Sequence, residues 1–548
     1  MNGAAAIADI LRREGVEYLF CFPFHHLIDP AVAREIRPLM ARTERTAVAM
    51  ADGYTRVSNG RKTGVVAVQE GPGSENTFGG VAQAYSDSSP ILILPGGATE
   101  ARVGQQPTFE AVPNYRGITK WAARINSADR VPQLMRRAFT YLRAGRPGPV
   151  LLELPNDVAQ AEVDEAALAA YRPVGRVRSA ADPEAVAAAA GALLGARTPL
   201  IHAGQGVLYA EATAELRELA ELLGAPVMTT LPGKSAFPED HPLSVGAGGV
   251  SGPRAAAHFL KEADLILGAG ASFTISNFAA PIPGAANKIL IQITVDERDL
   301  NKDYAVEHSL IGDARLVLRQ LIDEIKRQAG SSLSNGGGRA GEIAALKEET
   351  LARWRPKLGS DETPMNPYRV IRELGRAVDP ARTIITHDSG NPRDQLAPFW
   401  TSVAPHGYIG WGKSTHLGYG LGLALGAKLA APDKLCINVM GDCAFGMSGL
   451  DVETGVRCRI PILTVLLNNS CMGGYGKHHP LATERYGFKY LSGDYAMIAK
   501  GQGAYSERVE QPDEIAPAIE RARRALDEGR PALLEMITRE ETEFEKHW

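Results

Sequence analysis

The sequence lacks the features that identify disulfide-rich, zinc-stabilised and membrane proteins. It has five cysteines among 548 residues, and none of them forms a CxxC pair or a Cys/His spacing typical of a zinc site. An odd number of cysteines favours a reducing compartment. No uninterrupted apolar run of about 18 residues occurs, which argues against a membrane span. No tandem repeat of solenoid period is present.

Charge of either sign is not in large excess. The formal net charge is −4, so the chain has no broad electrostatic attraction for nucleic acid or for an anionic membrane. The opening stretch MNGAAAIADILRREGVEYLF carries Glu and Arg among its apolar positions, which predicts an amphipathic helix and not a signal peptide. We expect a cytoplasmic small-molecule enzyme with no nucleic-acid partner and no membrane partner.

Short apolar runs alternate with helical patterns along the chain. The clearest runs are TGVVAVQ, PILILPGG, GPVLLELP, PLIHAG, ADLILGAG, KILIQITVD, RTIITHDSG, KLCINVMGD and PILTVLLNN. Continuous runs rich in β-branched residues are typical of buried parallel strands, and the helices between them would form the crossovers. The sequence therefore predicts an α/β fold with three domains, each with a central parallel sheet flanked by helices.

Two connectors divide the chain, which is too long for a single core. AQAEVDEAALAAYRPVGRVRSAADPE is polar and rich in alanine, and GSSLSNGGGRAGE has the most flexible composition. We place the domains at residues 1–165, 180–328 and 360–535. Residues 536–548 form a C-terminal tail that would cover the active site as a lid.

A carboxylate and an amide each follow an apolar run in the last third of the chain. Asp442 follows KLCINVMG, and Asn469 follows PILTVLLN. If the two strands are parallel neighbours, both side-chain oxygens lie at one edge of the sheet. Mg²⁺ prefers about six oxygen ligands, so Asp442, Asn469 and the backbone carbonyl of Cys471 would bind it. The alternative is that Gly-Asp and Asn-Asn are two ordinary turns.

Backbone amides at the predicted helix start beyond the first of these runs would bind phosphate oxygens. They belong to Gly441, Asp442, Cys443 and Ala444. Together with the cation ligands, they predict a cation–diphosphate site.

The GD…NN pattern resembles the signature of thiamine-diphosphate-dependent enzymes. The resemblance covers nearly the whole chain. RTERTAVAMADGYTR, EGPGSEN and RGITK are similar to the pyrimidine-binding domain of the acetohydroxyacid synthase group. The middle domain is similar through ALLGARTPLIHAGQG, GAPVMTTLPGKSAFPEDHPLSVG and VDERDLNK, and the third through GYGLGLALGAKLA. The resemblance implies thiamine diphosphate and Mg²⁺ as cofactors.

The resemblance also assigns roles on the pyrimidine side. Glu44, which precedes the MAxGYxR segment, would hydrogen-bond N1′ of the aminopyrimidine and so activate the cofactor. Leu417, directly before GYG, would be the apolar wedge that bends the cofactor, and Gln69 would face the active-site cleft. Without the flanking pattern, Leu417 would be ordinary core packing and Glu44 a solvated charge. The loop that approaches the pyrimidine comprises Gly71, Pro72, Gly73 and Asn76.

The resemblance further implies an oligomer. In the family the pyrimidine end of the cofactor binds the first domain of one subunit, and the diphosphate binds the third domain of another. We therefore expect at least a homodimer and, by the same resemblance, a homotetramer.

The chain departs from the synthase pattern around the substrate. FPFHHL places Phe24, His25 and His26 where synthases have a Gly-Gly turn, and GQQPTFEAVPNYRG replaces the FQE segment before ITK. These departures make the chain more similar to 2-hydroxyacyl-CoA lyases, which cleave a 2-hydroxyacyl-CoA reversibly to formyl-CoA and an aldehyde or ketone. The alternatives are a carboligase or decarboxylase acting on 2-oxo acids, in the manner of acetolactate synthase, and a non-catalytic cofactor-binding protein.

Several residues are assigned to the substrate. His25 and His26 would hydrogen-bond its carbonyl or hydroxyl. Glu484 would exchange a proton with it, unless it is a solvated residue paired with Arg485 or Lys477. Ile118 and the C-terminal tail would restrict the chamber to short substrates. The weakest assignments are possible donors to the phosphates of a CoA thioester, namely Lys234, Arg254, Arg298 and Arg393. The central domain would hold the ADP part of CoA, FAD or neither.

Overall fold

A computed structural model of the chain describes residues 1–276, 278–330 and 339–547. The described residues form three six-stranded sheets in which every strand pair is parallel. The predicted α/β fold with three sheet-centred domains is confirmed. The exact domain boundaries stay a prediction, and residues 331–338 of the glycine-rich connector lie outside the described residues.

The first sheet has the strand order β2-β1-β3-β4-β6-β5. Its strands are β1 (Tyr18–Phe22), β2 (Arg37–Met40), β3 (Val65–Val68), β4 (Leu92–Gly97), β5 (Trp121–Arg124) and β6 (Val150–Pro155). The helices that accompany it are α1 (Gly3–Arg13), α2 (Ile28–Val32), α3 (Glu44–Val57), α4 (Pro72–Ser86), α5 (Ala111–Tyr115), α6 (Val131–Arg143), α7 (Asn156–Gln160) and α8 (Glu165–Ala169).

The middle sheet has the order β12-β11-β10-β7-β8-β9. Its strands are β7 (Pro199–Ala203), β8 (Val227–Thr230), β9 (Ser244–Gly248), β10 (Leu265–Ala269), β11 (Ile289–Thr294) and β12 (His308–Ile311). Its helices are α9 (Pro183–Gly195), α10 (Gln205–Ala210), α11 (Thr213–Leu223), α12 (Arg254–Glu262) and α13 (Ala314–Ala329). The order reverses between β7 and β10, and ligands of doubly wound sheets bind at such a point.

The third sheet has the order β14-β13-β15-β16-β18-β17, which repeats the topology of the first. Its strands are β13 (Thr383–His387), β14 (Tyr408–Ile409), β15 (Leu435–Gly441), β16 (Leu463–Asn468), β17 (Tyr505–Val509) and β18 (Ala532–Ile537). Its helices are α14 (Arg339–Leu358), α15 (Pro367–Ala377), α16 (Asn391–Leu396), α17 (Tyr419–Ala430), α18 (Asp442–Ser448), α19 (Val452–Cys458), α20 (Pro480–Tyr486), α21 (Tyr495–Gly501) and α22 (Ile515–Asp527). In the described part of the chain, no helix has the length and apolar content needed to cross a membrane.

Helices α3 and α17 join the first domain to the third. Their backbones touch at glycines: a Cβ added at Gly422 would lie 3.0 Å from the carbonyl oxygen of Thr46, and one at Gly53 would overlap the carbonyl of Leu423. Packing of this kind brings the starts of the two helices to the same end of the molecule. Glu44 and Leu417 lie at those starts, so the contact fixes where each chain carries these two residues.

We expect Gly53→Ala to destabilise the protein, because the added methyl meets backbone that has little room to move. The loss of unfolding free energy should be about 1–3 kcal/mol, as for other overpacked cores, and urea denaturation would measure it. Gly375→Ala is the matched control, since Gly375 is exposed in α15 and nothing lies within 4 Å of its added Cβ. The control should be stabilised by up to about 1 kcal/mol. Equal effects of the two substitutions would contradict the packing described here.

Candidate active site

The cation end of the site lies at the carboxyl edge of the third sheet. Strands β15 and β16 are parallel neighbours, with Met440 opposite Leu466 and Gly441 opposite Leu467. Asp442 and the turn that begins at Asn469 therefore leave the sheet at the same edge. The strand pairing on which the sequence prediction depended is present.

Asp442 has a carboxylate oxygen without a partner. The residue is 3% exposed, and its Oδ1 accepts a hydrogen bond from the Cys443 amide at 2.8 Å. Its Oδ2 is buried and accepts no hydrogen bond from the residues that the structure describes. Burial raises the pKa of Asp442 to about 6, and the hydrogen bond from the Cys443 amide opposes this rise. A cation would satisfy this oxygen.

The Asn469 turn is held in a fixed shape beside Asp442. The side-chain oxygen of Asn469 accepts a hydrogen bond from the amide of Cys471 at 3.1 Å, and Cys471 pairs with Tyr490 through an isolated antiparallel bridge. Across the described ranges, no group of three or more His, Cys, Asp and Glu side chains could hold a metal. The predicted set has one carboxylate, so amide, carbonyl, phosphate and water oxygens would supply the other ligands, as suits Mg²⁺.

The pyrimidine end lies in the first domain at the start of α3. Glu44 is 4% exposed, and Asn76 of α4 donates a hydrogen bond to its Oε2 at 3.3 Å. Gly71 precedes α4 with φ +65°, and a Cβ added at Gly73 would lie 3.0 Å from Cγ of Gln69. The structure thus places Glu44 in contact with Asn76, and Gln69 next to Gly73. The roles of these residues toward a cofactor stay predictions.

The proposed wedge is anchored by a residue that the sequence analysis did not identify. Leu417 is partly buried against the core that the first and third domains share. The next residue, Gly418, has φ +83°, and its amide donates to the buried carboxylate of Asp388 at 2.9 Å. Asp388 follows β13, so an acidic residue directly after an apolar run, as in RTIITHDSG, was the available signal.

His25 and His26 lie on the loop after β1, at the carboxyl edge of the first sheet. His25 is buried, and its Nδ1 accepts a hydrogen bond from the Leu27 amide at 3.1 Å. Burial lowers the pKa of His25 to about 3, so its ring is neutral. His26 is half-buried and packs edge-on against the exposed Phe24 at a ring separation of 5.3 Å. Their contact with substrate stays a prediction.

Glu484 is exposed on α20. Neither Lys477 nor Arg485 pairs with it, and it forms no ion pair with any residue that the structure describes. Exposure fits the alternative of a solvated surface residue, while the pairing in that alternative is not formed, and the role of Glu484 stays a prediction. The shielding from water that a proton-transfer role requires would have to come from a second chain or from the substrate.

An open cavity lies over the Asn469 turn. Part of its wall is the C-terminal tail, because Phe544 lines it. Glu540 attaches the tail to the turn by accepting hydrogen bonds from the amide of Gly474 at 2.9 Å and from Lys489 at 2.5 Å. The sequence analysis did not single out most of the lining residues. They are Asn391, Gly473, Gly474, Tyr475, His478, His479 and Phe544.

A crevice of about 480 Å³ opens at the point where the strand order of the middle sheet reverses. His202, a residue of β7, lines the crevice, and its Nδ1 has no hydrogen-bond partner among the described residues. Lys413 and Arg146 also line it, and Lys413 is exposed. Arg146 itself is paired with Asp299 at 2.7 Å. These cationic residues escaped the sequence analysis because three domains contribute to the crevice.

The structure corrects one of the proposed phosphate donors. Lys234 is 1% exposed and is paired with Glu239, so its ammonium is not available to a ligand. The other three form ion pairs as well, and none of the four lines the crevice. The pairs are Arg254 with Glu349, Arg298 with Asp296 and Arg393 with Asp394. Ile118 is half-buried against the shared core, and its role in substrate size stays a prediction.

Comparisons with known proteins agree with this division of the site. Three family models match the chain: the N-terminal thiamine pyrophosphate binding domain at residues 1–115, the central domain of thiamine pyrophosphate enzymes at 186–321, and their C-terminal binding domain at 388–536. A probable acetolactate synthase large subunit of Methanococcus aeolicus is 30% identical over 95% of this chain and 90% of its own length. The corresponding protein of Methanocaldococcus jannaschii is 30% identical over 98% and 92%. The acetolactate synthase large subunit of Corynebacterium glutamicum is 30% identical over 99% and 88%.

Proposed function

Because the chain belongs to the thiamine pyrophosphate enzymes of the acetohydroxyacid synthase-like superfamily, we propose that it acts on 2-oxo acids as a carboligase or decarboxylase. Its cofactors are thiamine diphosphate and Mg²⁺. The observation that carries the proposal is the buried Asp442 carboxylate, whose free oxygen lies beside the Asn469 turn. The names of the curated relatives support this reaction more than the lyase that the sequence analysis favoured.

Each part of the site has a distinct task in this proposal. Asp442, Asn469 and the carbonyl of Cys471 would hold the cation, and the amides from Gly441 to Ala444 would bind diphosphate oxygens. Bound thiamine diphosphate would supply a nucleophilic carbon that adds to a carbonyl and a thiazolium ring that takes up the electron pair of the adjacent carbon–carbon bond when it breaks. The free acceptor on Asp442 fits a cation and the buried Glu44 fits a ring nitrogen.

Glu44 and Leu417 would prepare the cofactor for that chemistry. A carboxyl shielded from water can share a proton with N1′ of the aminopyrimidine, and Glu44 is shielded and only weakly hydrogen-bonded within the chain. Leu417 would hold the two rings at the required angle by contact. Glu44 would therefore control the proton on N1′, and Leu417 would control the angle between the two rings of the cofactor.

A lyase for short 2-hydroxyacyl-CoA is the second candidate. Two observations favour it: the aromatic Phe24 and His26 at the carboxyl edge of the first sheet, and the crevice in which Lys413 has one weak hydrogen bond to the described residues, with Ser272 at 3.4 Å. A partly free ammonium would suit a phosphate of CoA. FAD in the crevice would fit the synthase-like candidate instead.

Parallel turnover assays would separate the two candidates. We expect the purified protein with thiamine diphosphate and Mg²⁺ to consume pyruvate and release CO₂, and to leave 2-hydroxyisobutyryl-CoA uncleaved. Release of formyl-CoA from the thioester without turnover of pyruvate would overturn the first candidate in favour of the second. Diffraction from crystals soaked in CoA would then show whether the crevice binds its ADP part.

We propose that the active protein is at least a homodimer and expect a homotetramer. Large apolar side chains are exposed near the site, among them Leu450, Tyr486 and Phe488, the second of them 83% exposed. Tyr486 and Phe488 are exposed close to each other in the sequence, just past Glu484, and a second chain that covered them would also shield Glu484. Sedimentation equilibrium should show a dimer or tetramer, and a monomer at micromolar concentration would contradict the proposal.

Glu484→Gln should slow turnover and leave cofactor activation intact. The substitution removes a proton-transfer group from the substrate, so we expect kcat to fall by about tenfold or more. Hydrogen–deuterium exchange at C2 of the bound cofactor should stay as fast as in the unmodified protein. Arg485→Gln, one residue along the same helix, is the control and should change neither rate. Full turnover by Glu484→Gln would remove this residue from the mechanism.

A further inference from the structure

Asp388 is a buried carboxylate that the proposed chemistry does not use. It follows β13 and is 0% exposed, and it forms no ion pair with any residue in the described ranges. Its partners are three backbone amides: Ser389 at 2.8 Å and Gly418 at 2.9 Å donate to Oδ1, and Gly420 at 2.9 Å donates to Oδ2. One side chain therefore joins the end of β13 to the start of α17.

Burial of this carboxylate is unfavourable, and the amides offset the cost. Removing an ion from water costs several kcal/mol even after the protein relaxes, and burial raises the pKa of Asp388 to about 6. Hydrogen bonds from three amides and the positive end of α17, a helix of 12 residues, stabilise the charge. The Asp388 carboxylate therefore lies within hydrogen-bond distance of Gly418, the residue after Leu417.

The glycines of the GYG motif allow the close approach. Gly418 has φ +83°, a backbone conformation that other residues adopt only with strain. A Cβ added at Gly420 would lie 3.0 Å from Oδ2 of Asp388 and 2.5 Å from Oδ1 of Asn438. Both glycines are therefore required for the backbone after Leu417 to reach Asp388.

The segment around Leu417 is also held from the first domain. The amide of His416 donates to Oε1 of Gln83 at 3.1 Å, and the hydroxyl of Tyr419 donates to Asp52 at 2.8 Å. Asp388 is the partner from the third domain, and its bond to Gly418 is adjacent to Leu417. Residues 416–420 are thus fixed on both sides of the proposed wedge.

We propose that Asp388 is a positioning residue that fixes the backbone at Leu417, so that the Leu417 side chain lies where it bends the cofactor. The inference rests on the proposed role of Leu417 as the wedge. The same carboxylate orients Ser389, two residues before Asn391, and a Cβ added at Gly473 of the Asn469 turn would overlap Asn391. Asp388 therefore connects the wedge to the segment that faces the cation end of the site.

Asp388→Asn tests the proposal with little change of shape. Asparagine has one acceptor oxygen, so the amide of Gly418 or of Gly420 loses its acceptor and faces the NH₂ group instead. In the cofactor-free protein, exchange of the Gly418 and Gly420 amides should speed up at least tenfold. In the loaded protein, C2 exchange and kcat should fall at least tenfold, whereas the KM of the substrate and the Kd of thiamine diphosphate should change less than threefold. Asp379→Asn is the control, because exposed Asp379 caps the short helical turn that precedes β13, at the end of the strand away from Asp388, and it should alter none of these values.

A double-substitution experiment separates positioning from general structural damage. If Asp388 acts through Leu417, adding Asp388→Asn to Leu417→Ala should change C2 exchange less than twofold, since the effects of residues in one chain of contact are not additive. Additive losses, or a parallel loss of cofactor affinity, would overturn the proposal. Slowed exchange in Leu417→Ala with normal exchange in Asp388→Asn would overturn it and leave the wedge in place. Normal C2 exchange in Leu417→Ala would overturn both the assignment of Leu417 as the wedge and the proposal for Asp388.

Discussion

Asp442→Ala should abolish Mg²⁺-dependent retention of thiamine diphosphate. The substitution removes the carboxylate of the predicted cation site, and the diphosphate charge then lacks its counter-ion. We expect affinity to fall by about 100-fold or more, which is about 2.7 kcal/mol or more of binding free energy. Titration calorimetry at a fixed Mg²⁺ concentration would measure the loss. Among the described residues, none donates to Oδ2 of Asp442 and only the adjacent amide of Cys443 donates to Oδ1, so the fold should be retained.

Asp433→Ala provides the matched control. Asp433 is exposed just before β15, at the end of the strand opposite Asp442. Its loss should leave affinity for the cofactor and its Mg²⁺ dependence unchanged. Normal affinity of the Asp442 variant, or an equal loss in the control, would remove the cation assignment.

Glu44→Gln should inactivate the enzyme while the cofactor still binds. Glutamine keeps an oxygen for the hydrogen bond from Asn76 but cannot share a proton with the ring nitrogen. Loss of a proton-transfer group of this kind lowers the rate by about 10²–10⁴-fold, and we expect that loss in both turnover and C2 exchange. Quenched-flow deuterium exchange read by NMR would measure the second rate. The Kd of thiamine diphosphate should change only a few-fold.

Glu44→Gln and Glu484→Gln should therefore both lower turnover but differ in their effect on C2 exchange. The first slows C2 exchange because it acts on the cofactor, whereas the second leaves exchange fast because it acts on the substrate. Glu520→Gln, an exposed glutamate of α22, serves as a control for the change of charge. Fast exchange in the Glu44 variant would contradict its assignment.

Nine of the twelve central strands could be predicted, because burial on both faces leaves a direct record in the sequence, whereas β1, β8 and β18 lie outside the nine runs. Each of the nine apolar runs contains a strand of the structure, and β15 and β16 are among them. The edge strands of the three sheets were not predicted. Most of them are half-exposed or short, as in β5, where every residue is half-buried, and in β14, which has two residues, whereas the buried β9 (SVGAG) contains two glycines. Such strands carry no continuous apolar pattern.

The parts of the site that were not predicted depend on contacts between distant segments. Asp388 differs from an ordinary strand-end aspartate only because α17 begins beside it. Lys234 looked available for a phosphate, and its burial with Glu239 follows from the meeting of the middle and third domains. Lys413 lies in the crevice for a similar reason. A local sequence pattern can place a residue at a strand end, but it cannot identify which distant helix or strand packs against that residue.

Diffraction with Mn²⁺ in place of Mg²⁺ tests the central claim most directly. Crystals grown with thiamine diphosphate and Mn²⁺ would be measured at the manganese absorption edge, where the metal gives its own anomalous signal. The account predicts one strong peak within coordination distance of Oδ2 of Asp442 and the side-chain oxygen of Asn469, with the diphosphate completing the shell. A manganese peak at another place in the chain, with this edge of the third sheet empty, would contradict it.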